Sequence, residues 1–245
     1  MRIQTNPFNT LPPATRTIIL FCLGCYGLGL FLPKSLVVLF GLVPALVSQG
    51  LALWQPFTYM FLHGSFFHIL FNVFALWMFG SVLENLWGTK KFVRFFFICG
   101  LGAAAFHVLL KPHSPVAVIG ASGAIYGLLA AFALEFPDAI VYLYFLFPIK
   151  ARTMAIALCV IEFAASFNPY SHIANLAHLG GLLTGLAYLK IGGWLGNRSQ
   201  RASTEDFLHP HEADVILEKI HTHGLASLSD RERRIIDHYS RRLKD

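Results

Sequence analysis

The sequence predicts an all-α polytopic membrane protein, a six-transmembrane-helix bundle over residues 1–198 followed by a short cytoplasmic helical hairpin over residues 199–245. Three observations predict it. Of the 245 residues, 56% are hydrophobic and only 13% charged, against about 25% charged in a typical soluble domain. Six apolar segments approach the roughly 20 residues needed to cross the hydrocarbon core. The few charges are also unevenly divided: nine of the 13 acids and eight of the 19 bases fall in residues 199–245, leaving the body with 11 bases against 4 acids. These figures exclude a soluble globular enzyme, a disordered or fibrous chain and a nucleic-acid-binding protein. The basic excess reports membrane topology and no nucleic-acid partner.

The expected spans are residues 16–33, 63–83, 92–110, 118–136, 153–168 and 174–192. The first lacks a small-x-small cleavage site and is followed by further spans, so it reads as a retained helix. With the N-terminus inside, Arg2, Arg16, Lys90, Lys91, Arg94, Lys150, Arg152, Lys190 and Arg198 fall on the inner side, and only Lys34 and Lys111 outside. That asymmetry follows the positive-inside rule. An even number of spans then leaves both termini cytoplasmic. Residues 34–62 are apolar but broken by Pro44, Gly50 and Pro56, and residues 137–149 read in the same way. Both are expected to lie in the membrane interface, on the outer and inner side respectively. In the tail, Pro210 marks a break, Gly224 ends a short amphipathic helix, and Ser229-x-x-Glu232 is a capping box opening a second helix over about 230–243.

Four cysteines (Cys22, Cys25, Cys99 and Cys159), all in apolar runs, read as small packing residues and not as a metal or redox site. The five tail histidines read as solvated, because His221 and His223 are two apart and do not share a helix face. No metal or cofactor is expected.

Polar side chains within spans are costly, so they are the candidates for function. The second, fourth and sixth spans all run from outside to inside, and His68, Asn72, Ser122 and His178 lie in their outer halves. At 1.5 Å per residue these four differ in depth by about one or two helical turns. Two small-residue stripes, Gly123-x-x-x-Gly127-x-x-x-Ala131 and Ala177-x-x-x-Gly181-x-x-x-Gly185, allow the fourth and sixth helices to approach closely. Such packing brings Ser122 within reach of His178. A hydroxyl next to an imidazole base permits nucleophilic acyl transfer. Asn72, His68 and the Ser122 N–H are candidate oxyanion donors, Gly120 and Gly123 permit a tight backbone there, and Tyr126 is placed to support the His178 ring. No acid is expected at matching depth, so the expected pair is a dyad. His63 reads as interfacial, and His107, Glu84, Glu135 and Glu162 as structural or near-interface groups.

The segments GASG at 120–123, HILFN at 68–72 and AHLGGLLTG at 177–185 resemble the rhomboid family of intramembrane serine proteases over about residues 40–192. The resemblance implies a rhomboid-like bundle in which Ser122 is the nucleophile, His178 the base and Asn72 with His68 the oxyanion pair. It further implies Tyr126 under the histidine, a half-embedded first loop, and cleavage of transmembrane protein substrates that enter laterally past the fifth helix. Members often carry Trp-Arg in the first loop where this chain has Trp54-Gln55, a change that bears on the loop and not on the reaction. The tail resembles a short appendage of some bacterial members, and a bacterial inner membrane fits. Alternatives are an inactive relative that binds membrane proteins, which would lack the nucleophile or base, and a small transporter using the same polar residues as a path. Zinc and aspartyl chemistries lack their signatures: there is no H-E-x-x-H and no pair of aspartates within spans.

Overall fold

Each expected span corresponds to a helix, and the buried polar residues tie these helices to one another. The computed structural model describes residues 11–33, 35–143, 146–168, 174–205, 210–224, 227–229 and 232–233. It divides into two units, Met1–Leu189 and Lys190–Asp245.

Helix α1 (Pro13–Gly29) starts with proline, whose missing N–H is no loss in a first turn. The next two backbone N–H groups, of Ala14 and Thr15, donate to the Glu84 carboxylate at 2.9 and 2.7 Å. Glu84 also accepts from the hydroxyls of Thr15 and Thr89, both at 2.8 Å, and is buried. A carboxylate from a distant helix thus satisfies the orphan donors of α1 at the end where the helix dipole favours negative charge.

The broken apolar stretch after α1 folds into three short helices, α2 (Ser35–Phe40), α3 (Pro44–Ser48) and α4 (Gln55–Thr58), then a 3₁₀ turn at Tyr59–Phe61. Its organiser is Gln55, which is fully buried. Gln55 Oε1 accepts from Val43 N–H at 2.8 Å, and Nε2 donates to the Val38 carbonyl at 2.7 Å. Trp54 Nε1 donates to Leu39 O at 2.8 Å and Thr58 Oγ1 to Phe40 O at 2.6 Å. Glutamine carries both a donor and an acceptor and so serves two opposite backbone groups of this loop.

Helix α5 (Phe66–Ala75) continues through a π-helical turn at Leu76–Gly80 into α6 (Ser81–Trp87). Gly88, at φ 79°, turns the chain into α7 (Thr89–Leu110). Among the described residues, the segments Phe66–Trp87 and Thr89–Leu110 are the two that are long and apolar enough to cross a membrane. Helix α8 (Ser122–Glu135) is apolar but shorter, and packs most extensively on α7. Helices α9 (Ala151–Ala165) and α10 (Asn175–Glu205) follow. The core is formed by Phe92, Phe95, Phe96, Cys99 and Ala103 of α7 against Ala124, Leu128 and Ala131 of α8, all fully buried. Large apolar side chains point outward as well: Phe31 is 88% and Leu109 77% exposed. A surface this apolar suits hydrocarbon and not water.

The expected interfacial segment at 137–149 is a β-hairpin, with β1 (Ile140–Leu143) antiparallel to β2 (Phe147–Lys150). Among the described residues the fold is therefore helical with one small two-stranded sheet, and not purely α. The segment is rich in aromatic and β-branched residues, which favour strands. Asp138 closes its base, accepting from Lys150 at 3.0 Å and pairing with Arg152 at 3.1 Å. Those cations, the Lys150 bond foremost, hold its carboxyl below the usual range.

In the second unit, α11 (Pro210–His223) ends at Gly224, φ 76°, whose N–H bonds Ile220 O at 2.9 Å. The capping box is formed: Ser229 N–H donates to Glu232 at 2.7 Å and Glu232 N–H to Ser229 Oγ at 3.3 Å. Lys219 bonds the same carboxylate at 2.8 Å, and Ile216 packs with Leu228. Of the expected second helix, all but residues 232 and 233 lies outside the described residues.

Two outcomes follow. Gln55→Ala strands Val43 N–H and Val38 O and is expected to lower stability by about 2 kcal/mol or more, read by thermal unfolding in detergent. The Lys219 bond, then the Ser229 N–H, draw the Glu232 carboxyl down from 4.5 to about 2. A depressed carboxylate stabilises above its unfolded pKa and ceases to do so as pH falls through its folded one. The Lys219–Glu232 tie is thus expected intact above pH 4.5 and lost as pH falls through about 2, seen as faster amide exchange at Ser229 once the intrinsic pH dependence is divided out.

Candidate active site

The first loop clamps the segment that carries Ser122. Leu42 and Val118 exchange backbone hydrogen bonds of 2.8 Å, and Gly120 N–H donates to Tyr59 O at 2.9 Å. Tyr59, itself buried, donates from its hydroxyl to Gly100 O at 2.8 Å and so ties the loop to α7. Gly120 has φ +120°, and a Cβ there would lie 2.6 Å from His68 Nε2. Both the backbone conformation and the ring of His68 require glycine. Two residues on, Ser122 is the first residue of α8. Its N–H belongs to the first turn, outside the intrahelical ladder and at the positive end of the helix.

The two small-residue stripes meet. A Cβ on Gly181 would lie 1.8 Å from the Gly123 carbonyl oxygen, and one on Gly185 would lie 3.0 Å from Gly127 Cα. Gly123 is enclosed on its other side by Ala103, and Gly127 by Cys99. Helix α8 therefore sits between α7 and α10 with backbones nearly touching. His178, the fourth residue of α10, places Nε2 at 2.8 Å from Ser122 Oγ. Tyr126, one turn after Ser122, stacks on the imidazole with ring centroids 4.4 Å apart and planes 10° from parallel.

Ser122, His178 and His68 line one cavity of 1010 Å³, together with His107, Lys111 and Asn175. Asn72 is buried behind it and does not line it: its Nδ2 donates to His68 O at 2.7 Å, four residues earlier in the same helix. His63 packs edge-on against His68, with ring centroids 5.0 Å apart. Among the described residues no group of three His, Cys, Asp or Glu side chains converges as a metal site.

The structure corrects the expectation that no acid stands at the depth of Ser122. Glu162 Oε1 lies 2.9 Å from His178 Nδ1. The Tyr126 hydroxyl donates to that same oxygen, and Asn175 Nδ2 donates to Oε2 at 2.5 Å. The signal was present in the direction of the chain. The fifth helix runs opposite to the fourth and sixth, so an acid near its end, three residues before Ala165, comes level with residues near the starts of α8 and α10.

A serine and a histidine in hydrogen-bond contact, inside apolar helices packed on glycines, define a membrane-integral protein with a Ser–His site. Residues 51–194 match the family model of the rhomboid domain, and the chain belongs to the rhomboid family. Residues 201–242 match a second model, a family of unknown function (DUF6576). The chain is 29% identical over 140 residues to RHOMBOID-like protein 5 of Arabidopsis thaliana, covering 57% of this chain and 44% of that one. It is 29% identical to Rhomboid protein 1, mitochondrial, of Saccharomyces cerevisiae, covering 55% and 39%. To Rhomboid protease GluP of Bacillus subtilis it is 30% identical, covering 58% and 26%. The chain thus spans less than half the length of these relatives.

Gly181→Val is expected to force α8 and α10 apart, since no side chain fits 1.8 Å from a carbonyl. A loss of more than about 3 kcal/mol and of any serine-directed labelling at Ser122 is the expected result, read by thermal unfolding and fluorophosphonate labelling.

Proposed function

We propose that this chain is an intramembrane serine endopeptidase that cleaves transmembrane segments of other membrane proteins. The observation that carries the reading is the 2.8 Å contact between Ser122 Oγ and His178 Nε2. Ser122 attacks the scissile carbonyl carbon while its proton passes to Nε2. The carbonyl π pair moves onto oxygen, where the Ser122 N–H and the His68 imidazole are the donors, and Asn72 braces the His68 turn through its bond to the His68 carbonyl. The imidazolium then protonates the leaving amine as the C–N bond breaks. Water, deprotonated by the same imidazole, hydrolyses the acyl-serine, so no metal or cofactor takes part.

The reading takes α1, the continuous segment from α5 through α6, α7, α8, α9 and the first part of α10 as the six spans of a 1–198 membrane domain, and residues 199–245 as a cytoplasmic tail. Both termini are then cytoplasmic, and the membrane is a bacterial inner (plasma) membrane. The excess of basic residues on the inner side supports the orientation. A relative from Bacillus subtilis named a rhomboid protease supports the activity. Of the side chains of α9, only Ala151, Met154 and Glu162 are buried, while Ile156, Val160, Ile161 and Phe163 are exposed. The family resemblance implies lateral entry of a substrate segment past this helix, whose outward face is apolar.

The test is cleavage of a model single-span substrate in liposomes. Wild type is expected to cleave, and Ser122→Ala and His178→Ala to lose about 10³-fold or more while keeping the wild-type unfolding temperature. Continued cleavage by Ser122→Ala would overturn the mechanism. A wild type that neither cleaves nor reacts with a fluorophosphonate would point instead to an inactive relative.

A further inference from the structure

We infer that Glu162 is a positioning carboxylate for His178, so that the site works as a chain of three groups, Glu162, His178 and Ser122. The inference rests on the Ser–His reading proposed above. It starts from the two ring nitrogens, which face different partners: Nδ1 lies 2.9 Å from Glu162 Oε1, and Nε2 lies 2.8 Å from Ser122 Oγ. An ionised carboxylate can only accept, so the proton of a neutral imidazole belongs on Nδ1. Nε2 is then left with its lone pair facing the Ser122 hydroxyl, the tautomer that general-base attack requires.

The carboxylate is itself held in place. Its three neighbours, the Tyr126 hydroxyl, the Asn175 amide and His178 Nδ1, can all donate. Three donors converging on one carboxylate suit its ionised form. They also come from the elements that build the rest of the site. Tyr126 lies one turn after Ser122 and stacks on the imidazole, and Asn175 lies three residues before His178 on the same helix face. Glu162, Asn175 and His178 are all under 10% exposed, at 6%, 5% and 9%. A buried charge in an apolar helix is costly unless it is paired, and these neighbours are its pairing.

In the resting geometry the carboxylate oxygen stands close to Nδ1 but off the line of the ring N–H, so the approach is not an aligned hydrogen bond. That suits a partner for the imidazolium formed when Ser122 gives up its proton. Coulomb attraction in a low-dielectric site depends on distance more than on alignment, and such contacts tighten in the substrate complex. Glu162 takes no proton at any step. The proton travels from Ser122 Oγ to Nε2 and on to the leaving amine.

The experiment compares wild type, Ser122→Ala, Glu162→Gln and Glu162→Asp as the full chain in liposomes with a single-span substrate. Glu162→Gln keeps the shape and removes the charge. Its kcat is expected to fall about 10²–10⁴-fold with KM, as mole fraction in the bilayer, within about threefold. Its unfolding temperature is expected to stay near that of wild type, and fluorophosphonate labelling of Ser122 to slow in parallel with kcat. Glu162→Asp is expected to recover at least about tenfold over Glu162→Gln, since it restores the charge. A Glu162→Gln enzyme with wild-type kcat, or one impaired only in KM or in unfolding temperature, overturns the inference while leaving the Ser–His reading standing. Cleavage by Ser122→Ala, or a wild type that neither cleaves nor labels, removes the Ser–His reading and this inference with it.

Discussion

The site depends on the near-contact of two helix backbones. Gly123 and Gly127 of α8 meet Gly181 and Gly185 of α10 so closely that a single methyl on Gly181 has no room. In hydrocarbon the hydrophobic effect does not drive helices together, so van der Waals packing of small residues has to. This closeness puts Ser122 and His178, each one residue from a stripe, 2.8 Å apart. It also lets Tyr126 lie flat against the imidazole. Larger residues on either stripe would separate the two side chains without changing either.

Polar groups then secure what the glycines bring together, each satisfying several partners at once. Glu84 accepts four hydrogen bonds and ties the start of α1 to α6 and α7. Gln55 serves both an N–H and a carbonyl of the first loop. That loop in turn holds the chain ahead of Ser122 through Leu42, Tyr59 and Gly120. Glu162 joins α8, α9 and α10 through Tyr126, Asn175 and His178. Away from water, an unpaired polar group costs more than a hydrogen bond returns, so these few residues weigh more than their number suggests.

Much of this was legible in the chain because helices have fixed geometry. A 3.6-residue turn makes i and i+4 neighbours, so the stripes, the Tyr126–Ser122 spacing and the depth of His178 could all be read as positions on faces. Periodicity is silent on side-chain choices among competing partners. Asn72 shares a face with His68, yet its amide turns to the carbonyl of its own helix and not to the cavity. Residues 137–149 are apolar without a helical repeat, which is as consistent with a hairpin as with a segment lying in the interface.

The sequence by itself determined the apolar helices, the tail's capping box and Gly224 stop, and the facing stripes with Ser122 and His178 beside them. These are local or periodic properties, set by composition and by the rise and turn of a helix. Only the tertiary structure decided that Gln55 stands at the centre of the first loop, that Glu84 caps the start of a helix about 70 residues away, and that Glu162 faces His178. Each of these joins residues from different elements through a side chain with several possible partners. Which partner it takes depends on how the helices are rotated and how deep they sit, and that follows from packing the whole bundle at once.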